Sequence, residues 1–274
     1  MTQISILGCG WLGLPLAKAL LQNSFSVNGL TTSSEKLSVL ENSGIQPFQI
    51  TLNSNRISGN IEAFLRGSKI LIIDIPPKLR GNSKDPLNAL GLSFVGKIET
   101  LIPFIEKSEI ENVIFVSSTS VYGDANSIIA EETEPHPETE GGKQLLQTEQ
   151  LLQKNTNFKT TVLRFGGLIG EDRHPVHFLA GRTNIENPNA PINLIHQEDC
   201  IGIIMKIIEI NSWGETFNGV APFHPNRKEY YTQKAAELNL ALPEFNYQLP
   251  TFGKIVLSSK VEKVLGYSFS KKNL

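Results

Sequence analysis

An α/β fold with a doubly wound parallel sheet is what the sequence predicts, on three observations. The chain opens with a short apolar run that passes into the turn Gly8-x-Gly10-x-x-Gly13. Further apolar runs at 25–30, 70–75, 112–117 and 160–165 alternate with stretches of helical periodicity. Glycines, prolines or hydroxyl residues follow the end of each run, the edge at which an open parallel sheet keeps its ligand.

The bulk properties narrow the setting. With 274 residues, 40% of them hydrophobic, the chain suits one large domain, or a main domain with a smaller dependent one. A formal net charge of −2 and a pI near 6.2 give no electrostatic case for nucleic acid. Cys9 and Cys200 lie far apart with no signal-like segment before them, so the expected compartment is the cytoplasm. The most apolar helical stretch, 201–210, is interrupted by Lys206 and Glu209 and falls short of a membrane span. His174 and His177 have no acidic or cysteine partner pattern, so no metal is expected.

Taken in order, residues 4–7 form the first strand, and Leu16, Ala17, Leu20 and Leu21 give the following helix an apolar stripe. In a turn of this kind the first glycine allows the bend, the second admits a pyrophosphate to the backbone, and the third lets helix and strand pack. The helix N-terminus adds unpaired N–H donors and a positive dipole end. Gly8, Gly10, Trp11, Leu12 and Gly13 are therefore the expected cradle of a dinucleotide, in a Rossmann arrangement. The second strand, 25–30, leads into Thr31, Thr32, Ser33, Ser34, Glu35 and Lys36. No acid stands at its tip to bind a ribose 2′-OH, whereas the hydroxyls of Thr31, Thr32 and Ser33 with Lys36 suit a 2′-phosphate. NADP is thus favoured slightly over NAD. Ser34 also suits the N-cap of the next helix.

A short strand follows at 45–50. The stronger run at 70–75 has the composition of a strand buried on both faces and ends at Pro76-Pro77, which cannot continue a ladder. Ile75, Pro76 and Pro77 then border the cofactor edge. Asp74, the one polar residue in that run, reads as a loop cap. Leu87, Leu90, Phe94, Ile98, Leu101 and Ile105 predict a long helix over 86–107. The strand at 112–117 runs straight into Ser118, Thr119, Ser120, Val121, Tyr122 and Gly123, a hydroxyl cluster where a substrate carbonyl or hydroxyl would lie. A helix is expected over 143–153, strands over 160–165 and 217–220, and helices over 201–210, 230–240 and 259–265.

Four segments together, 6–13, 116–123, 164–170 and 192–199, resemble the short-chain dehydrogenase/reductase superfamily, in its extended or atypical branch of NAD(P)-dependent epimerase/dehydratase-like proteins. The resemblance runs nearly full length. It implies a dinucleotide-binding domain over 1–170, its sheet completed by segments around 192–220, and a smaller substrate-binding part mainly over 171–274. It implies a catalytic hydroxyl at Ser118 with Thr119 as neighbour, Ser117 on the cofactor side, and Tyr122 on the substrate side rather than as acid/base. It also places Arg173, His174 and Arg182 toward a small-molecule substrate, sugar-like or anionic, in a monomer or homodimer.

One departure from the family stands out. Catalytic members carry Y-x-x-x-K on the helix after the hydroxyl cluster, and residues 135–143 hold no tyrosine. Lys143 fits the lysine position, holding the nicotinamide ribose, but its partner is then Thr139, whose hydroxyl is far too weak an acid. If Glu149 sets the register instead, the pair becomes Gly141 and Leu145. The resemblance therefore implies an NAD(P)-dependent oxidoreductase or nucleotide-sugar epimerase/dehydratase-like protein. A non-catalytic NAD(P)-binding sensor or regulatory protein is the alternative.

Overall fold

The computed structural model describes residues 2–77, 93–124 and 127–272. Its centre is a seven-stranded sheet of β1 (Gln3–Leu7), β2 (Ser26–Thr31), β3 (Gln46–Gln49), β4 (Ser68–Ile73), β5 (Asn112–Ser118), β6 (Lys159–Phe165) and β7 (Thr216–Gly219). The spatial order is β7-β6-β5-β4-β1-β2-β3, with every neighbouring pair parallel. The chain winds outward one way from β1 to β3 and the other way from β4 to β7. The crevice between the ends of β1 and β4 is the switch point at which ligands bind in such sheets.

The helices are α1 (Gly13–Gln22), α2 (Glu35–Asn42), α3 (Ile61–Leu65), α4 (Ser93–Glu106), α5 (Glu140–Gln153), α6 (Val176–Leu179), α7 (Gln197–Ile210), α8 (Arg227–Glu237) and α9 (Ser259–Leu265). They cover both faces of the sheet because successive side chains of a strand point to opposite sides. In β1 Ile4 and Ile6 pack toward one core and Leu7 toward the other; in β4 Ile70 and Ile72 part from Leu71 and Ile73 in the same way. The first core takes Leu16, Ala17 and Leu20 of α1, Ile203 and Ile207 of α7 and Val261 of α9. The second takes Phe64 of α3, Ile98, Leu101 and Ile105 of α4 and Leu145 and Leu152 of α5. A third, smaller core lies outside the sheet, where Ile169, Val176, Ile192 and Leu194 meet Tyr230, Tyr231 and Ala235 of α8.

Boundaries differ from the sequence reading at several points. β4 starts at Ser68 and leaves the ladder after Ile73, so Asp74 and Ile75 already belong to the loop before the prolines. Pro86, Leu87 and Leu90, the first part of the expected long helix, lie outside the described residues, and α4 is seen from Ser93. Ser34 occupies the N-cap of α2 but has helical dihedrals and makes no side-chain capping bond. Residues Leu194–His196 pair with Gly167–Ile169 in a two-stranded ladder of their own, and β7 completes the main sheet.

Asp199, in the first turn of α7, is fully buried and ties in the end of the described chain. Its Oδ1 accepts from the Tyr267 hydroxyl at 2.8 Å, the Ser270 N–H at 2.7 Å and the Ser270 hydroxyl at 2.9 Å, and its Oδ2 from the Lys271 N–H at 3.1 Å. No helix among the described residues is long and apolar enough to cross a membrane.

Candidate functional site: a crevice at the ends of β1 and β4

The glycine turn is built by close contacts that leave one side open. Gly8 has φ +115°, and a Cβ on it would stand 2.3 Å from the Asp74 carbonyl oxygen. A Cβ on Gly13 would stand 2.1 Å from the Gly8 carbonyl oxygen. Gly10 differs: a Cβ there meets nothing within 4 Å. The first and third glycines thus serve packing, and the second faces free space, the division of labour that a pyrophosphate cradle requires. Leu12 precedes α1 with no side-chain cap of its own, and the first turn carries no acid; there the Leu14 N–H donates to the Gly10 carbonyl at 3.1 Å, the Gly13 N–H to the Asp74 carboxylate, and Pro15 has none.

A cavity of about 390 Å³ opens at this point. Gly8, Cys9 and Gly10 form its floor, Thr31, Thr32 and Lys36 the wall beyond β2, and Asp74, Ile75 and Pro76 the wall beyond β4. Lys97 and Phe94 of α4 stand across from them. Thr31 is buried, and its hydroxyl accepts from the Ser33 N–H at 3.1 Å; Thr32 and Lys36 are exposed on the rim. The structure therefore brings together Gly8, Gly10, Thr31, Thr32, Lys36, Ile75 and Pro76. Ser33 and Pro77 adjoin that cluster in the chain without lining the cavity. The open side of Gly10 and the hydroxyl and amine groups of Thr32 and Lys36 have the chemistry a dinucleotide requires.

Asp74 is the exception to that fit. Its N–H donates to the Leu7 carbonyl at 2.9 Å, which turns the side chain back under the glycine turn, where the Gly13 N–H donates to its carboxylate. Burial pushes this carboxyl up to about 7, against the opposing pull of the Gly13 N–H and the Arg173 guanidinium. The sequence reading of a simple loop cap missed this approach.

Trp11 leaves the turn in the opposite direction, toward the segment after β6. Its indole N–H donates to Asp172 Oδ1 at 2.7 Å, its carbonyl accepts from the Gln197 amide at 2.6 Å, and the Arg173 guanidinium lies 4.9 Å from its ring centroid. Arg173 is thereby held beside the crevice. His174 is not. Its Nδ1 accepts from the Val176 N–H at 3.1 Å and its Nε2 pairs with the Tyr230 hydroxyl at 2.9 Å, an arrangement that assigns the proton to Nε2. Burial, with Lys234 and His177 nearby, lowers its pKa to about 4, so His174 is a neutral part of the third core. Arg182 is exposed beyond α6, and its carbonyl accepts from the Glu244 N–H.

At the end of β5 the hydroxyls separate by role. Ser118 is partly exposed, and its Oγ accepts from the Ser120 N–H at 3.1 Å, capping the short 3-10 turn Thr119–Tyr122. Thr119 is buried. Ser117 points the other way and donates to Glu149 Oε1 at 2.5 Å. Glu149 is buried on α5 and holds Arg164 of β6 through several N–H bonds, the shortest 2.6 Å from Nη2. Arg164 Nη1 donates to the Tyr122 hydroxyl at 2.8 Å, which donates to Asn218 of β7 at 2.8 Å. Tyr122 is thus interior, with its ring under the guanidinium at 4.8 Å, and not on the substrate side as the resemblance implied. Burial, outweighing the Arg164 charge, raises its phenol pKa.

The helix that should carry Y-x-x-x-K shows a similar split. Gly142, Gln144, Leu145, Thr148, Glu149 and Leu152 form the buried face of α5, whereas Lys143 stands on its exposed face. Thr139 caps this helix, its hydroxyl accepting from the Gly142 N–H at 3.1 Å. One turn before Glu149 stands the buried Leu145, and a further turn back the half-buried Gly141. Neither is an acid or a base.

The α/β architecture with its phosphate-cradling turn defines a dinucleotide-binding protein of the extended short-chain dehydrogenase/reductase type. The chain belongs to the NAD dependent epimerase/dehydratase family, which matches residues 4–199. It is 32% identical to Protein YeeZ of Escherichia coli (strain K12), over 98% of this chain and 96% of that one. Among solved structures, UDP-glucuronic acid 4-epimerase from Bacillus cereus in complex with NAD superposes with a TM-score of 0.81 at 19% identity, covering 98% of this chain and 92% of that one. MoeE5 in complex with UDP-glucuronic acid and NAD gives 0.79 at 17%, covering 98% and 94%.

Proposed function

We propose that this protein is a nicotinamide-dinucleotide enzyme acting on a hydroxyl or carbonyl of a small molecule of the nucleotide-sugar class. The observation that carries the reading is the open face of Gly10 on a cavity whose wall holds Thr31 and whose rim holds Thr32 and Lys36. Gly8, Gly10, Leu12 and Gly13 would hold the pyrophosphate against the N-terminus of α1. Thr32, Ser33 and Lys36 would hold the adenosine ribose, and the amine and hydroxyls favour a 2′-phosphate there. Ile75, Pro76 and Pro77 would border the bound dinucleotide. When bound, the cofactor supplies hydride acceptance and return.

Ser118, at the C-terminal end of β5, would donate to the substrate oxygen, and Thr119 would shape the turn behind it. Ser117 holds Glu149 and so fixes the direction of the strand end. Arg173, on the Trp11 ring, would meet an anionic group. The nucleotide-sugar class is supported by the solved relatives with UDP-glucuronic acid, and the residues of the lobe over 171–274 would bind it.

The second reading, a dinucleotide sensor without turnover, is favoured by one observation: Lys143 is exposed, and the buried positions of α5 around it are Gly142, Gln144 and Leu145, none of them an acid or a base. Single-turnover absorbance with NAD+ or NADP+ and a panel of nucleotide sugars separates the two. Formation of reduced cofactor that Ser118→Ala slows by about 100-fold, with cofactor affinity unchanged, supports the enzyme. Tight cofactor binding with no reduction across the panel supports the sensor.

A further inference from the structure

The Asp74 carboxyl stands where a negative charge is least welcome if the cavity takes a dinucleotide. It lines the cavity with Gly8 and Gly10, and its Oδ2 lies only 3.2 Å from the position a Gly13 Cβ would take. The Gly13 N–H at the start of α1, one of the donors that would serve a pyrophosphate, already points at it. Two anions competing for one helix end repel each other, unless one of them is neutralised.

We propose that Asp74 is a cofactor-site residue that carries a proton when the dinucleotide is bound, so that binding takes up a proton from solvent. The inference rests on the dinucleotide reading of the cavity. A neutral carboxyl keeps an O–H that donates, so the same side chain that opposes a pyrophosphate when ionised becomes compatible with it when protonated.

Each described element packed around Asp74 contributes to this balance. From the turn after β1 comes Cys9, whose thiol burial pushes up to about 12, and from α7 comes Cys200, also raised by burial. Both are therefore neutral near pH 7 and neither offers a charge to offset the carboxylate. The positive groups are Arg173, from the segment after β6, with Lys36 and Lys97 on the cavity walls. Arg173 is committed to the Trp11 ring, with its guanidinium 4.9 Å from the centroid. Burial pushes the carboxyl up to about 7, so its charge is undecided at physiological pH and a bound pyrophosphate would shift it to the protonated side.

The test is calorimetric titration of the wild-type protein with NAD+, whose pyrophosphate stays fully ionised, in two buffers of different ionisation enthalpy. Uptake should be near zero at pH 5.5, about half a proton at pH 7, and close to one at pH 8.5. The dissociation constant should rise by up to about tenfold per pH unit above pH 7. Asp74→Asn, which mimics the protonated carboxyl, should bind NAD+ with an affinity that is flat from pH 6 to 8.5 and tighter than wild type at the upper end. Binding without proton uptake and with a pH-independent constant in the wild-type protein overturns the proposal and leaves the dinucleotide reading intact. Absence of binding of NAD+ and of NADP+ at every pH, in both proteins, overturns that reading and the proposal with it.

Discussion

At the scale of single residues, the three glycines of the first turn separate what folds the turn from what the turn is for. A methyl group at Gly13 would collide with the Gly8 carbonyl, and nothing in the surrounding backbone is free to give. Gly13→Ala is expected to cost about 3 kcal/mol or more in urea denaturation. Gly10→Ala places its methyl in open space and should leave stability within about 0.5 kcal/mol of wild type. The same methyl enters the space assigned to the pyrophosphate, so NAD+ affinity, read by titration, should fall at least about tenfold. The spacing of these glycines was readable from the chain. Asp74 was not: its character comes from the approach of β4 to the turn after β1, a tertiary contact between distant segments that no local pattern encodes.

At the scale of elements, α5 is joined to the sheet by a buried ion pair rather than by apolar packing alone. Glu149 on α5, Arg164 on β6, Ser117 on β5 and Tyr122 in the turn after it form one connected set. Removing only the acid leaves a guanidinium buried without compensation. Glu149→Leu should therefore destabilise by about 3–5 kcal/mol, and the added change Arg164→Met should recover most of it, because the uncompensated charge is gone. Equilibrium unfolding of the single and double variants checks both halves of this statement. The apolar stripe of this helix was legible, since Leu145 and Leu152 recur at helical spacing and are buried. The inward direction of Glu149 was not, because an acid between Thr148 and Gln150 reads as solvated surface. Tyr122 misled for the same reason: its place beside a hydroxyl cluster suggested a ligand contact, and a partner two strands away claims its hydroxyl.

At the scale of the whole molecule, alternation of apolar runs with helical stretches was enough to anticipate a doubly wound sheet, because strands buried on both faces leave a compositional trace that loops do not. The third core left a weaker trace, being assembled from Ile169, Val176, Leu194 and Tyr231, residues scattered through short ladders and turns. Asp199 holds the start of α7 to residues 267–271. Asp199→Ala leaves the Tyr267 and Ser270 hydroxyls and two backbone N–H groups without their acceptor, at a cost of roughly 2–4 kcal/mol. Hydrogen exchange at the Ser270 and Lys271 amides should accelerate far more than exchange in β1 or β5, showing that the tail detaches before the sheet opens. The same anchor also sets an order on biosynthesis. During translation α7 emerges well before residues 267–271, so a nascent chain carries the Asp199 carboxylate with none of the donors that later enclose it. The helix therefore cannot settle on the sheet in its final form until residues 267–271 have followed it out of the ribosome and folded back onto Asp199.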